Sequence, residues 1–147
     1  MNVTRFEDAV AMAQARQHVW ISTADALGVP HIASVGDFRV EDGGTIVLSD
    51  WACPVTLMNL KSNTSITLVV WDVNTDQGYQ ILGQVEDIKP LARISEDGLA
   101  EATVGDRELW VKPHQVYAFS HAPHDDVEAI PPGMTYTRLD HSIGSSL

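Results

Sequence analysis

The sequence predicts a mostly β domain of the α+β class, with a six-stranded antiparallel sheet or barrel and short flanking helices. Runs of β-branched and aromatic residues alternate with tight turns, which favours antiparallel pairing of neighbouring strands. Only short stretches carry the apolar spacing of a helix. The chain has 147 residues, a length typical of one domain. Closing such a sheet into a barrel removes its exposed edges.

The N-terminal segment is predicted to form a helix that ends near Gln17. Thr4 and Glu7 have the spacing of a capping box, in which the two residues satisfy each other's free backbone N–H groups. Apolar residues then recur at helical spacing and form one stripe. The stripe contains Phe6, Val10 and Ala13.

The strands are predicted from runs of β-forming residues between turns. Residues 18–24 are β-branched and aromatic, and a turn containing Gly28 and Pro30 follows them. The segment 65–73 is almost continuously apolar, which predicts a central strand covered on both faces. The predicted strands are 18–24, 31–40, 45–49, 65–73, 78–88 and 115–120.

Two further helices are predicted. Pro54 suits the first position of a helix, where no N–H is needed, so a short helix is expected over 54–62. A stretch rich in Ala and Leu follows Pro90 and predicts a helix to about residue 104. The segment from about residue 123 is predicted to be an irregular tail. A single domain is therefore expected to cover residues 1–147.

Charge and composition exclude several classes of function. The 20 acidic and 9 basic residues give a formal charge of −11, and such a surface repels the phosphates on which nucleic-acid affinity depends. No apolar run approaches the roughly 20 residues that a membrane helix needs, and the N-terminus lacks the features of a signal peptide. The single cysteine, Cys53, cannot form an internal disulfide. These observations predict a cytoplasmic protein that binds neither nucleic acid nor membranes.

Four stretches together resemble the pyridoxamine 5′-phosphate oxidase-like split barrels, a family that includes small FMN-binding proteins. The order and spacing of the stretches carry the resemblance, since each of them alone is common. The resemblance implies a six-stranded antiparallel split β-barrel. The four stretches are Val-Trp-Ile-Ser-Thr-Ala with Gly-Val-Pro-His at 19–31, Thr-Ile-Val-Leu-Ser-Asp at 45–50, Thr-Leu-Met-Asn-Leu-Lys-Ser-Asn at 56–63, and Val-Val-Trp-Asp with the following strand at 69–86.

The resemblance implies FMN as the cofactor, held at the subunit interface of a homodimer. Two neighbouring strands would hold the flavin ring, and the turn before the short helix would meet the phosphate. A helix N-terminus suits a phosphate because its N–H groups are unpaired and it carries a partial positive charge. Trp110 would reach across the dimer to the partner's flavin. Carried over by position, the cofactor-binding residues are Ser34, Val35, Gly36, Asp37, Leu48, Ser49, Asp50, Trp51, Pro54, Val55, Thr56, Asn59 and Trp110.

The sequence departs from the family at the phosphate turn. Many relatives place Lys or Arg there, whereas this chain has Thr56. Lys61, on the same helix, and Arg39, on a strand, are the nearby cations that could replace it. The resemblance favours an FMN-dependent oxidoreductase or electron carrier. A haem- or deazaflavin-binding barrel, or a binding or sensing protein without cofactor, stays open as the alternative.

No catalytic acid, base or metal site is predicted, because the flavin would carry the redox chemistry. Cys53 is interpreted as a small apolar residue and not as a nucleophile. A cluster of histidines and carboxylates near the C-terminus is interpreted as a solvated loop, because it lacks the spacing of a known metal motif. Trp20 and Trp71 are expected in the core or at an interface. The C-terminal cluster contains His114, His121, His124, Asp125 and Asp126.

Overall fold

The computed structural model describes residues 1–49, 51, 53–90, 93–94, 100–101 and 107–121. Within that part of the chain, two helices accompany an antiparallel sheet. The elements are α1 (Val3–Arg16), β1 (Val19–Ala24), β2 (Pro30–Val35), β3 (Asp37–Val40), β4 (Ile46–Ser49), α2 (Pro54–Ser62), β5 (Ser65–Asp72), β6 (Gln77–Pro90), β7 (Arg93–Ile94), β8 (Ala100–Glu101) and β9 (Arg107–Phe119).

The main sheet curls into a split barrel, which confirms the predicted fold class. Its seven strands follow the order β2-β1-β5-β6-β9-β4-β3, and every pair is antiparallel. The strands β2 and β3 lie at opposite edges of this order, yet only Gly36 separates them in the chain. Because one residue cannot span an open sheet, the two edges must lie side by side.

The sheet has seven strands because the predicted strand 31–40 is divided in two. Val35 ends β2, which pairs with β1, and Asp37 begins β3, which pairs with β4. The break at Gly36 moves the chain from one edge of the sheet to the other. The strand boundaries predicted for β1, β4, β5 and β6 agree with the structure to within about two residues.

The predicted helix over 90–104 is wrong. Pro90 is the last residue of β6 and lies opposite Arg107 in the ladder with β9. Arg93–Ile94 and Ala100–Glu101 then pair as a small separate antiparallel sheet. The Ala- and Leu-rich composition favours a helix locally, but the extended ladder between β6 and β9 overrides that preference. The last strand accordingly begins at Arg107, well before the predicted residue 115.

Two finer predictions also need correction. The cap of α1 is Asn2, whose Oδ1 accepts a hydrogen bond from the Arg5 N–H at 3.0 Å, so the Thr4 capping box is wrong. The strand β5 alternates between buried and exposed residues and leaves Trp71 46% exposed, so one of its faces is uncovered. Alternation of this kind is typical of an antiparallel sheet with one solvated face.

The core fills the inside of the curled sheet. Alternate residues of the strands point inward, and α1 covers them with its apolar stripe. No helix in the described residues is long and apolar enough to cross a bilayer. Fully buried core side chains include Ile21, Ile46, Leu48, Leu68, Ile81 and Leu109.

Candidate functional site

The N-terminus of α2 is held against the sheet by buried polar contacts. Asn59 Nδ2 donates a hydrogen bond to Thr23 Oγ1 on β1 at 3.1 Å, and both side chains are buried. Thr56, one turn earlier, is only 1% exposed. Pro54 begins the helix as predicted. The first turn of α2 is thereby fixed beside β1 and β2.

The second part of the predicted site is the edge formed by β3 and β4. Asp37 lies opposite Ser49, and the Ser49 hydroxyl donates a hydrogen bond to Asp37 Oδ2 at 2.7 Å. Ser49 ends β4 and stands four residues before Cys53, which caps α2, so this edge lies within about 14 Å of the helix start. The chain connection therefore keeps Ser49 near the start of α2.

Gly36 and Asp37 also border a shallow cleft beside the C-terminal end of α1. The cleft has a volume of about 180 Å³. Small-molecule sites usually enclose roughly 300 Å³ or more. This cleft by itself is therefore too small to surround a cofactor.

Several predicted cofactor residues point their side chains elsewhere. Val35 and Leu48 are fully buried in the core, so only their backbone atoms are available to a ligand at this edge. Ser34 lies on the outer face of the sheet, where its hydroxyl is 3.1 Å from His18 Nε2. Trp51 is buried, and its indole N–H donates to the Arg107 carbonyl oxygen at 2.8 Å. Asp50 lies outside the described residues.

Trp110 lies on β9 opposite Val47, among charged groups. The Lys89 ammonium is 3.4 Å from the centroid of the Trp110 ring, a cation–π contact. The indole N–H donates to Glu108 Oε2 at 3.2 Å. One face of the ring is thus already covered within the chain.

Neither of the two cations that could replace the family's phosphate-binding residue belongs to the first turn of α2. Arg39 Nε donates to Glu41 at 2.8 Å, and its Nη1 is 3.0 Å from Glu108. Hydrogen bonds to these carboxylates, Glu108 first, raise the pKa of Arg39 above its usual value. Lys61 lies in the last turn of α2, about 10 Å along the axis from Pro54. Arg39 is thus paired with two carboxylates, and Lys61 lies at the opposite end of α2 from the first turn.

Sequence reasoning missed one pair of residues, His31 and Cys53. His31 Nε2 on β2 lies 3.0 Å from the sulfur of Cys53, the residue that precedes α2. Twenty-two positions separate them, and no motif in the sequence links them. Only the packing of α2 on β2 brings the ring to the thiol.

The surroundings of Cys53 favour its thiolate. Burial raises the pKa of the thiol, but the hydroxyl and N–H of Thr56, the His31 ring and the Val55 N–H together lower it from 9.0 to about 7. The Thr56 and Val55 N–H groups belong to the N-terminus of α2, where the helix dipole also favours a negative charge. The first turn of α2 therefore stabilises a negative charge.

The histidines near the C-terminus are only partly described. His114 is exposed on β9, and the backbone N–H of His121 donates to Asp76 Oδ1 at 2.8 Å. His124, Asp125 and Asp126 lie outside the described residues. Among the residues that are described, no three His, Cys, Asp or Glu side chains are grouped as metal ligands would be.

A curled antiparallel sheet with a short helix packed on two of its strands defines a split-barrel protein. The family model for pyridoxamine 5′-phosphate oxidase matches residues 6–120. The chain therefore belongs to the pyridoxamine 5′-phosphate oxidase family, as the sequence resemblance predicts. A search of the curated proteins gave no match.

Solved structures share this fold at low sequence identity. An FMN-binding protein from Syntrophomonas wolfei superposes with a TM-score of 0.65 at 15% identity, over 84% of this chain and 91% of that one. The heme storage protein HutZ from Vibrio cholerae gives a TM-score of 0.54 at 16% identity, over 78% and 92%. An F420 reductase gives 0.51 at 20% identity, over 67% and 87%. These similarities establish the fold and leave the ligand open.

Proposed function

We propose that this protein is a cytoplasmic FMN-binding homodimer that acts as an oxidoreductase or electron carrier. The observation that carries the proposal is the N-terminus of α2, which the Asn59–Thr23 hydrogen bond fixes on β1 and whose first N–H groups suit a phosphate. Membership of the pyridoxamine 5′-phosphate oxidase family and the FMN-binding protein of the same fold support FMN as the ligand. When bound, the flavin would supply the redox chemistry.

The residues present fit a phosphate that is held by neutral donors. The N–H groups of the first turn are neutral donors of the kind that bind phosphate oxygens, and the buried Thr56 hydroxyl, which contacts Cys53, lies beside them. Backbone groups from Val35 to Asp37 and from Leu48 to Ser49 would hold the flat ring, since their inward side chains already belong to the core. Asp37 is already bonded to Ser49, which keeps its carboxylate at the strand edge.

The outer face of the sheet supports the homodimer. Four large apolar side chains lie on it, and their register places them all on the same side of their strands. Their exposed fractions run from 38% to 64%. Exposed apolar faces of this kind mark association sites, so a second copy of the chain is the proposed occupant of this one. The four residues, here called the outer apolar face, are Trp20, Ile32, Trp71 and Phe119.

A haem- or deazaflavin-binding function is the second candidate. It is favoured by the lack of a cation at the first turn of α2 in the described part of the chain, where Thr56 stands in place of Lys or Arg. The heme storage protein and the F420 reductase share the fold. A ligand that needs less phosphate charge neutralisation than FMN would suit such a turn.

The first experiment is an absorption spectrum of the purified protein after FMN is added and the excess removed. We expect flavin bands at about one FMN per subunit and a dimer by light scattering. A protein that stays colourless with FMN but takes up haem or a deazaflavin would replace the leading proposal with the second. A monomer that binds FMN tightly would contradict the interface site.

The phosphate turn is tested by comparing FMN with riboflavin, which lacks the phosphate. Thr56→Val removes the hydroxyl from a buried position and should weaken FMN binding about tenfold, since hydrogen bonds to charged groups contribute about 1.5–3 kcal/mol. Thr56→Ser retains the hydroxyl and serves as the matched control. The affinity for riboflavin should be the same for the wild type, Thr56→Val and Thr56→Ser. An equal loss for both flavins would show that Thr56 acts on the fold and not on the phosphate.

A further inference from the structure

The pair of Cys53 and His31 has the arrangement of a nucleophile and its base. Three elements build it: β2 supplies the ring, the residue before α2 supplies the thiol, and α2 supplies Thr56. The 3.0 Å separation between Nε2 and Sγ is within reach for proton transfer. Both side chains are half-buried, so the sulfur is held in place without being sealed in the core.

We propose that Cys53, activated by His31, is a site of reversible thiol–disulfide exchange with low-molecular-weight disulfides. The Cys53 thiolate attacks one sulfur of the small disulfide, a new S–S bond forms to Cys53, and the old S–S bond breaks. The second half of the reagent leaves as a thiolate and takes up a proton from the solvent. Excess small thiol reverses the exchange, so oxidant and reductant are the two forms of one small molecule.

The neighbours of the sulfur favour its reaction. The groups that shift its pKa downward are His31 from β2, and Thr56 and Val55 from α2. No acidic residue lies in the first turn of α2, so the thiolate meets no carboxylate from its own helix. Such a thiolate, half-buried among donors, is typical of reactive cysteines.

The sequence supplies a second reason to expect a mixed disulfide. Cys53 is the one cysteine of the chain, so no neighbouring thiol of the same subunit can resolve the adduct. The adduct would persist until an external thiol removed it. Modification would also place a bulky group at the first turn of α2, so, if the proposed flavin site is correct, the modified protein should lose FMN.

The test is the rate of reaction with the aromatic disulfide DTNB, measured from about pH 5.5 to 9.5 on the folded protein. We expect a midpoint near pH 7 and complete loss of reaction in Cys53→Ser. At pH 7, a pKa of about 7 leaves half of the thiol ionised, against roughly 1% at 9.0. Lower basicity reduces the nucleophilicity of the thiolate about eightfold, so the folded protein should react about sixfold faster than the urea-unfolded chain.

Matched variants test whether His31 and Thr56 activate the Cys53 thiol or whether the thiol reacts only because it is exposed. His31→Gln should raise the pH midpoint of the DTNB reaction and slow the reaction at pH 7. Thr56→Val, which leaves His31 in place, should have the same two effects. His18→Gln removes a histidine that bonds Ser34 and should leave the rate profile unchanged. A midpoint near pH 9 in the folded protein, an unreactive thiol, or a His31→Gln profile equal to that of the wild type would each overturn the proposal.

The flavin readout is kept separate from the thiol readout. The rates are measured on flavin-free protein, and FMN content is measured before and after exchange. A protein with a reactive Cys53 that never binds FMN would overturn the proposed cofactor and leave the exchange site standing. A protein that binds FMN with an inert thiol would overturn the exchange site alone.

Discussion

Gly83 on β6 lies so close to Lys112 on β9 that a β-carbon at position 83 would come within 2.8 Å of the Lys112 carbonyl oxygen. The same carbon would meet Cγ1 of the core residue Val111 at 2.7 Å. The register of the β6–β9 ladder shifts next to this position, between Leu82 and Gly83. A glycine is needed here because the irregular pairing brings the neighbouring backbone into the space of a side chain.

Gly83→Ala is therefore expected to lower the free energy of unfolding by about 2 kcal/mol or more, as for an overpacked core position. Gly78→Ala is the matched comparison. A β-carbon there would meet the Phe119 ring, but that ring is 38% exposed and can rotate into solvent. Its cost should stay below about 1 kcal/mol. Urea unfolding of both variants measures the difference, and equal losses would contradict this account.

The hydrogen bond between Asn59 and Thr23 is expected to fix α2 on the sheet. Thr23→Val keeps the shape of the side chain but leaves the Asn59 amide buried without its acceptor, which costs about 1–3 kcal/mol. Adding Asn59→Leu should recover part of this loss, because both polar groups are then removed. Thr67→Val on β5 is the control, since the Thr67 side chain makes no hydrogen bond to any residue that the structure describes. Denaturant unfolding is measured for the wild type, the Thr23→Val and Asn59→Leu single variants, the double variant and the control, and losses of the two single variants that simply add in the double variant would refute the coupling.

The outer apolar face should hold the proposed dimer together. Trp71→Glu and Ile32→Glu each place a charge among apolar side chains of the second copy, at a cost of several kcal/mol at a buried interface. We expect monomers by light scattering and a parallel loss of FMN. Leu27→Glu changes a residue that is 89% exposed in the turn between β1 and β2 and should leave the dimer intact. Dimers that persist in both face variants would place the interface elsewhere.

The sequence predicts the barrel well because its strands are separated by strong local turn signals. The turn containing Gly28 and Pro30, and the one containing Gly43 and Gly44, lie where the structure has them, and these three glycines have positive φ angles. The segment after Pro90 misleads because its composition favours a helix locally. Pairing of Lys89 with Glu108 across the sheet keeps that end of β6 extended, and this long-range contact is not visible in local composition.

The candidate site, like the fold, is predictable from the sequence only where the signals are local. Position along the chain is enough to place Pro54 and Thr56 at a helix start, because helix signals are local. The burial of Trp51 against Arg107 and the approach of His31 to Cys53 both depend on residues far apart in the sequence. Contacts of this kind depend on how the sheet curls. Local patterns in the sequence therefore do not reveal them.

The state of Cys53 should also be visible in the stability of the protein. The pKa of Cys53 in the folded protein, about 7, lies below the ordinary 9.0. The native fold therefore stabilises the thiolate relative to the unfolded chain. This stabilisation is fully present above about pH 9 and is lost as the pH falls through about 7. Wild-type protein should therefore gain stability relative to Cys53→Ser as the pH rises from 7 to 9. Urea unfolding under reducing conditions at several pH values measures the difference, and parallel stability curves for the two proteins would show that the fold does not favour the thiolate.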